Sequence, residues 1–310
     1  MDIDAIYGWA ADCWRSVVKV LRHVLTGKGE IEHICAKGGY HNAQMSTEFS
    51  TSLYYSKQLK QPSHTIFSLK MFSVSGAVDV VVTRKGMSTK GPQQQVVVSN
   101  IGHCLHALKY FNTCADKIFT LKDTKFDCTA VSHMELLESF WACMRPDVQR
   151  VSIHAGGIAS EDWGEVGFQG VDPSTDFRGM GLLGLYQLEY FARTRPTEAQ
   201  AALANSKHPR RYYPFAATGI NITSFVMDLV RTRRLHQDVF KTLEINSLHH
   251  ACDAVEGPSS SPTLLEIGFN TTNDVYCEVF IEFDRLWAER DPTDVMAFPA
   301  IFSEVKGRLQ

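Results

Sequence analysis

Between Trp163 and Leu188 the sequence reads like neither an ordinary helix nor an ordinary loop. Five glycines fall at 164, 167, 170, 179 and 181. Asp172-Pro173-Ser174-Thr175 is turn chemistry, because Asp bonds its own backbone locally and Pro presets φ. Thr175 or Asp176 is placed to cap a helix that begins near Arg178. A cation would then sit in a first helical turn, where the positive partial charge costs it up to about 1 kcal/mol. Two arrangements would offset that cost. One is local pairing with Asp172 or Asp176, a structural salt bridge. The other is an arginine held at the edge of a rigid glycine-rich loop and aimed at an external phosphate or carboxylate. The planar, permanently charged guanidinium meets such oxygens with paired donors. The sequence leaves both open.

Other chemistry is hard to find. There is no G-x4-G-K-[ST] loop, so the chain is not expected to bind GTP itself. Dinucleotide, H-E-x-x-H and G-x-S-x-G patterns are also missing. His249-His250 near Cys252 could suggest a metal, but adjacent residues on a regular helix cannot both face one ion. We therefore expect no metal and no cofactor. Eight cysteines, none spaced C-x-x-C, read as reduced and mostly buried thiols.

The elements that must position the loop are mostly helical. Residues 132–145, 180–194, 197–206, 216–235, 236–252 and 274–290 carry apolar residues at helical spacing. Ser132, with Glu135 three residues on, could cap the first of these. The last has Val275, Tyr276, Val279, Phe280, Phe283, Leu286 and Trp287 on one stripe. The tract 253–262 reads as a surface loop rich in Ser and Pro. Residues 101–119 are a further candidate helix. The stretch 30–100 is less clear. Its β-branched runs at 76–82 and 93–98, with a loop-like 83–92 between them, read as mixed structure, a loop or short hairpin. Near the N-terminus, residues 9–25 form an amphipathic pattern ending at Gly27. Trp14, Val17, Val18, Leu21 and Leu25 line one side, and Arg15, Lys19 and Arg22 the other. That helix either packs on the core with a solvated basic face or lies on an anionic membrane surface as a peripheral contact.

Composition narrows the function classes. The 310 residues are 44% apolar and 21% charged, with a net charge of −3, and mean hydropathy is −0.14. These values suit a globular chain and give no field that would favour general nucleic-acid binding. No run is long and apolar enough for a transmembrane helix. Met1-Asp2-Ile3-Asp4 is unlike a signal peptide, so a cytoplasmic protein is expected, peripheral on an organelle membrane if 9–25 binds lipid.

The pattern W-x3-GFQG-x-DP-x-TDFRG-x-G-LL-GL, from Trp163 to Leu185, strongly resembles the signature of ELMO-domain proteins, the short ELMOD branch in particular. Ser206-x-His208-Pro209, Gly219-Ile220-Asn221-Ile222-Thr223, and Phe283-Asp284-x-x-Trp287 with Met296 and Phe298 are similar to further family stretches. The resemblance implies a mainly α fold: a compact multi-helix ELMO domain over 131–305, an amphipathic helix in 1–28, and a mixed or loop-rich region between them at 29–130.

It also implies a function. Short members are implied to be GTPase-activating proteins for Arf-family, chiefly Arf-like, small GTPases, acting on the GTP-bound partner. The family's essential arginine falls on Arg178, implying an arginine finger in trans. Gln169 is a second candidate, either to position the attacking water or contact the GTPase, or to brace the loop through its backbone. Asp176 is read as orienting Arg178. Gly167, Gly170, Gly179 and Gly181 shape the loop, and Trp163 and Phe177 anchor it in the core. His208 is read as bracing a turn. Long ELMO proteins are implied to work inside adaptors that assemble with DOCK-type exchange factors. The alternative for this chain is accordingly a non-catalytic GTPase-binding or scaffold module.

Overall fold

The computed structural model describes residues 24–37, 42–65, 67–69, 72–148, 158–253 and 264–308. The expected helix over 9–25 lies outside these residues except for its end, which stops at Gly27 with φ +67°. Nearly all of the tract at 253–262 also lies outside them. Among the described residues every regular element is helical, as the mainly α expectation requires.

The chain divides into two compact units, Met1–Thr113 with His236–Leu264, and Cys114–Leu235 with Leu265–Gln310. The helices in order are α1 (Glu30–Ala36), α2 (Ala43–Tyr55), α3 (Lys60–Thr65), α4 (Val74–Lys85), α5 (Pro92–Asp123), α6 (Val131–Met144), α7 (Gly181–Thr194), α8 (Pro196–Ser206), α9 (Phe215–Arg231), α10 (His236–Asp253), α11 (Leu264–Arg290) and α12 (Phe298–Arg308).

In the first unit the mixed, loop-rich expectation gives way to helices. The β-branched run at 76–82 lies inside α4, and the run at 93–98 opens α5. The reason is burial. Ala77 and Val81 are one turn apart on α4 and fully covered. Val97, Ile101, Cys104, Leu105 and Leu108 form one buried stripe along α5. The lower helix propensity of valine costs only tenths of a kcal/mol per residue, whereas covering each side chain returns about 1.5 kcal/mol or more. Caps fix the ends of α4. Ser73 Oγ accepts from the Gly76 amide at 3.3 Å, and Gly86 closes the helix at φ +61°. Only 86–91 remains as the link to α5. In the same unit, α10 packs on α2, where the buried His236 shares a 3.0 Å hydrogen bond with Ser50.

The second unit is built around α7, whose Leu183, Leu185, Leu188 and Phe191 are wholly buried. α7 packs against α6, α8 and α9. The rings of Phe191 and Phe215 both lie within 5 Å of Phe280 on α11. Ser132 does not cap α6. Ala130 holds the capping position and has no side-chain cap, so Ser132 falls inside the first turn. α11 begins ten residues earlier than the periodicity indicated, and α9 ends at Arg231 rather than 235.

Candidate functional site

The glycine-rich segment folds as two short 3₁₀ helices, Glu161–Val166 and Pro173–Arg178, joined by a hairpin-like link. The first is capped by Ser160, whose hydroxyl accepts from the Asp162 amide. It ends at Gly167, with φ +80°. Asp172 caps the second, its carboxylate accepting from the Ser174 amide at 2.9 Å, and Pro173 supplies the preset φ at the start. The Ser160 amide donates to the Val171 carbonyl at 2.8 Å, which closes the loop on itself.

Two glycines are demanded by close approach. A Cβ on Gly167 would strike the backbone nitrogens of Phe215 and Ala216 at the start of α9. A Cβ on Gly181, at φ +53°, would strike the Lys122 and Thr124 carbonyls at the end of α5. Both contacts are also tied by hydrogen bonds: the Ala217 amide donates to the Gly167 carbonyl at 3.2 Å and the Leu182 amide to Thr124 at 2.8 Å. The loop is therefore fixed at both ends. Gly170 and Gly179 differ. Both are exposed, neither has positive φ, and a Cβ on either would meet nothing within 4 Å.

A chain of aromatic rings supports the loop from beneath. Trp141 meets Trp163, Trp163 meets Phe168, Phe168 meets Phe177, and Phe177 meets Phe126, at centroid separations of 5.4, 5.8, 5.6 and 5.4 Å. Trp163, Phe168 and Phe177 are at most 4% exposed, so Trp163 and Phe177 are core anchors as expected. Glu165 on the outer face bonds both Arg145 and Lys207. The Lys207 ammonium, with Arg145 nearby, holds its carboxyl below the usual range.

Arg178 is not at the first turn of α7. It ends the second 3₁₀ helix, where a cation suits the carbonyl end of the turn. The helix-start premise is corrected, and so is the proposed cap: Met180 precedes α7, with no side-chain cap. Neither candidate salt bridge forms. Arg178 is exposed, and its guanidinium is set by one hydrogen bond, Nε to the Thr175 carbonyl at 2.7 Å. Both Nη groups are without a partner among the described residues. Asp176 does not touch Arg178. Its Oδ2 accepts from the Gln169 amide at 2.9 Å, so it ties the two halves of the loop together. The Gln169 side chain is exposed and makes no hydrogen bond among the described residues.

Several contributors were not visible in the sequence. Thr175 acts through its carbonyl, which any residue would carry. Lys122 and Thr124 act through backbone about 60 residues from Gly181, and no local spacing announces that. The remaining motif residues brace the unit. Asp284 accepts from Tyr213 Oη at 2.7 Å and from Asn205 Nδ2 at 2.9 Å, and Trp287 Nε1 donates to the Arg211 carbonyl. His208 Nδ1 accepts from the Arg210 amide at 3.3 Å, bracing its turn.

The model of the ELMO/CED-12 family matches residues 116–302, a stretch that contains the whole loop, the end of α5 on which it rests, and the Asp284 clamp. The chain belongs to the ELMO/CED-12 family. It is 31% identical over 302 residues to ELMO domain-containing protein B of Dictyostelium discoideum, covering 96% of this chain and 93% of that one. It is 30% identical to ELMO domain-containing protein 1 of Mus musculus, covering 98% and 89%, and 29% identical to ELMO domain-containing protein 2 of Homo sapiens, covering 92% and 87%. No solved structure gives a significant match. The ELMO loop, held at both ends by backbone contacts, presents the Arg178 guanidinium and the Gln169 carboxamide to solvent. Among the described residues no helix is long and apolar enough to cross a membrane.

Proposed function

We propose that this ELMO-domain protein activates GTP hydrolysis on a small GTPase of the Arf family, chiefly an Arf-like member, by inserting Arg178 beside the γ-phosphate. The reading is carried by one observation: Arg178 is exposed and oriented by a carbonyl, and no carboxylate among the described residues neutralises it. A structural arginine at this place would pair with Asp172 or Asp176, and neither pair forms. An arginine that must meet a phosphate keeps its outer donors open and spends only Nε on orientation. In phosphoryl transfer the protein positions groups and neutralises developing charge. An arginine supplied in trans contributes about 10³–10⁵ in rate, or roughly 4–7 kcal/mol of barrier. The rigid glycine seats at 167 and 181 keep the loop from collapsing before the partner arrives, so little ordering cost falls on complex formation.

The test is single-turnover GTP hydrolysis on a panel of Arf and Arf-like GTPases, with wild type and Arg178→Ala side by side and complex formation measured separately. Acceleration by wild type and not by Arg178→Ala, with binding retained, is the expected result. A wild type that binds a GTP-loaded partner and accelerates none of the panel would replace this reading with that of a non-catalytic binding or scaffold module.

A further inference from the structure

Gln169 and Arg178 are presented in the same way. Each follows a buried phenylalanine and precedes an exposed glycine, as Phe168-Gln169-Gly170 and Phe177-Arg178-Gly179. The two phenylalanine rings pack edge to face, with centroids 5.6 Å apart and planes at 83°. The Gln169 amide is bonded to Asp176, two residues before Arg178. Burial of each ring turns the next side chain outward, and the amide–carboxylate bond holds the two halves of the loop side by side. Beside both there is open space, since a Cβ at 170 or 179 would meet nothing within 4 Å. Backbone of another molecule has room to approach at both places. The loop-bracing role of Gln169 belongs to its backbone amide, and its exposed carboxamide has no hydrogen-bond partner among the described residues.

We infer that Gln169 is a second catalytic group supplied in trans, acting on the attacking water while Arg178 acts on the phosphate. This rests on the activator reading above. A carboxamide offers an acceptor and two donors in one plane. Its oxygen accepts a hydrogen bond from the water, and its nitrogen donates to a γ-phosphate oxygen, which lines the water up with phosphorus. The water oxygen bonds to the γ-phosphorus as the bond from that phosphorus to the β,γ-bridging oxygen breaks. The electron pair of the broken bond stays on the bridging oxygen of GDP. The water proton passes to a phosphate oxygen, giving inorganic phosphate. Gln169 neither gains nor loses a proton. In a GTPase working alone this orientation falls to the GTPase's own glutamine. A glutamine delivered beside the arginine makes the activator independent of it.

The experiment uses full-length chain and whichever GTPase responds to wild type. Single-turnover hydrolysis at saturating activator is measured for Gln169→Ala and Gln169→Glu, with the affinity for the GTP-loaded partner and the thermal midpoint measured alongside. It is then repeated with a partner whose own water-orienting glutamine is replaced by leucine. For Gln169→Ala we expect a rate loss on the order of 10²-fold at unchanged affinity and midpoint. Wild type, and neither variant, should still accelerate the leucine-substituted partner. Gln169→Ala that keeps the wild-type rate, or loses affinity and not rate, overturns the inference while leaving the Arg178 reading in place. Failure of wild type on the leucine-substituted partner overturns it equally. A panel in which wild type accelerates nothing removes the activator reading first, and this inference with it.

Discussion

Arg178 is set by a carbonyl, and this decides what substitution should do. A lysine ammonium has a single nitrogen. If it donates to Thr175 it cannot also span two phosphate oxygens, and if it reaches the phosphate it loses its anchor. Arg178→Lys should therefore keep about 1% or less of the rate stimulation, given a contribution of about 10³–10⁵ for a supplied arginine. Its urea midpoint should match wild type, because the side chain is exposed and buries nothing. Single-turnover hydrolysis beside urea unfolding checks this, and a lysine that retains most of the stimulation would mean charge alone suffices. The glycines separate at the same scale. Gly167→Ala and Gly181→Ala each combine positive φ with a collision against backbone, so each should cost on the order of 3 kcal/mol. Gly170→Ala and Gly179→Ala should stay within about 0.5 kcal/mol of wild type. Similar losses at all four would show that the loop does not rest on the two seats.

Among the elements, the link between the two 3₁₀ helices is tied to the second of them by one charged hydrogen bond, from the Gln169 amide to Asp176. Asp176→Ala should cost about 1 kcal/mol, toward the low end for a bond to a charged group because the site is part-exposed. It should also raise hydrogen exchange at the Gln169 amide about fivefold through local opening. Asp176→Asn retains an acceptor oxygen and should restore most of the protection. Native-state exchange followed by NMR reads both, and an amide indifferent to Asp176→Ala would refute the tie. Here the sequence was legible to differing degrees. The stripes on α6, α7, α9 and α11 were plain, because each buries a wide apolar face and the period survives in the residues. α4 and the start of α5 were not, because runs of valine satisfy strand and helix patterns alike until burial of Ala77, Val81 and Val97 chooses. The 163–185 pattern marked out the loop and the position of Arg178 in it. It could not show that Asp172 caps, that Asp176 reaches Gln169, or that Thr175 aims the guanidinium, since each is decided by a 3₁₀ turn whose pitch the spacing of Asp, Thr and Arg does not specify.

On the scale of the whole molecule, the second unit is assembled from two separate stretches of chain, Cys114–Leu235 and Leu265–Gln310, and much of what joins them converges on residues 282–291. Asp284 accepts from Tyr213 and Asn205, Trp287 Nε1 donates to the Arg211 carbonyl, and Asp291 pairs with Arg210 and Arg211. The last helix, α12, is fastened to this same stretch by two ion pairs, Glu304 with Arg290 and Arg308 with Glu282, and Glu304 also pairs with Arg308 within the helix. The arginines, above all Arg290 at Glu304 and Arg285 at Glu282, hold both carboxyls below their ordinary value of 4.5. A carboxyl whose folded value is depressed contributes its stabilisation fully above the unfolded value and loses it as pH falls through the folded one. The clamp should therefore be complete at neutral pH, begin to weaken near 4.5, and disappear below the folded values. Glu304→Gln removes the charge at every pH, so its urea midpoint should lie below wild type at about pH 7 and converge on it toward about pH 3. Added salt at about 1 M, with a screening length near 3 Å, should narrow the gap at neutral pH as well, because the network is exposed. Urea midpoints of the two proteins across that range measure the effect directly. A gap that stays constant with pH would mean that Glu304 acts otherwise than through its charge, and no gap at neutral pH would mean that α12 is held by Ile301, Phe302 and Val305 alone, the apolar face it buries, with the arginine–glutamate lattice decoration on a helix already in place.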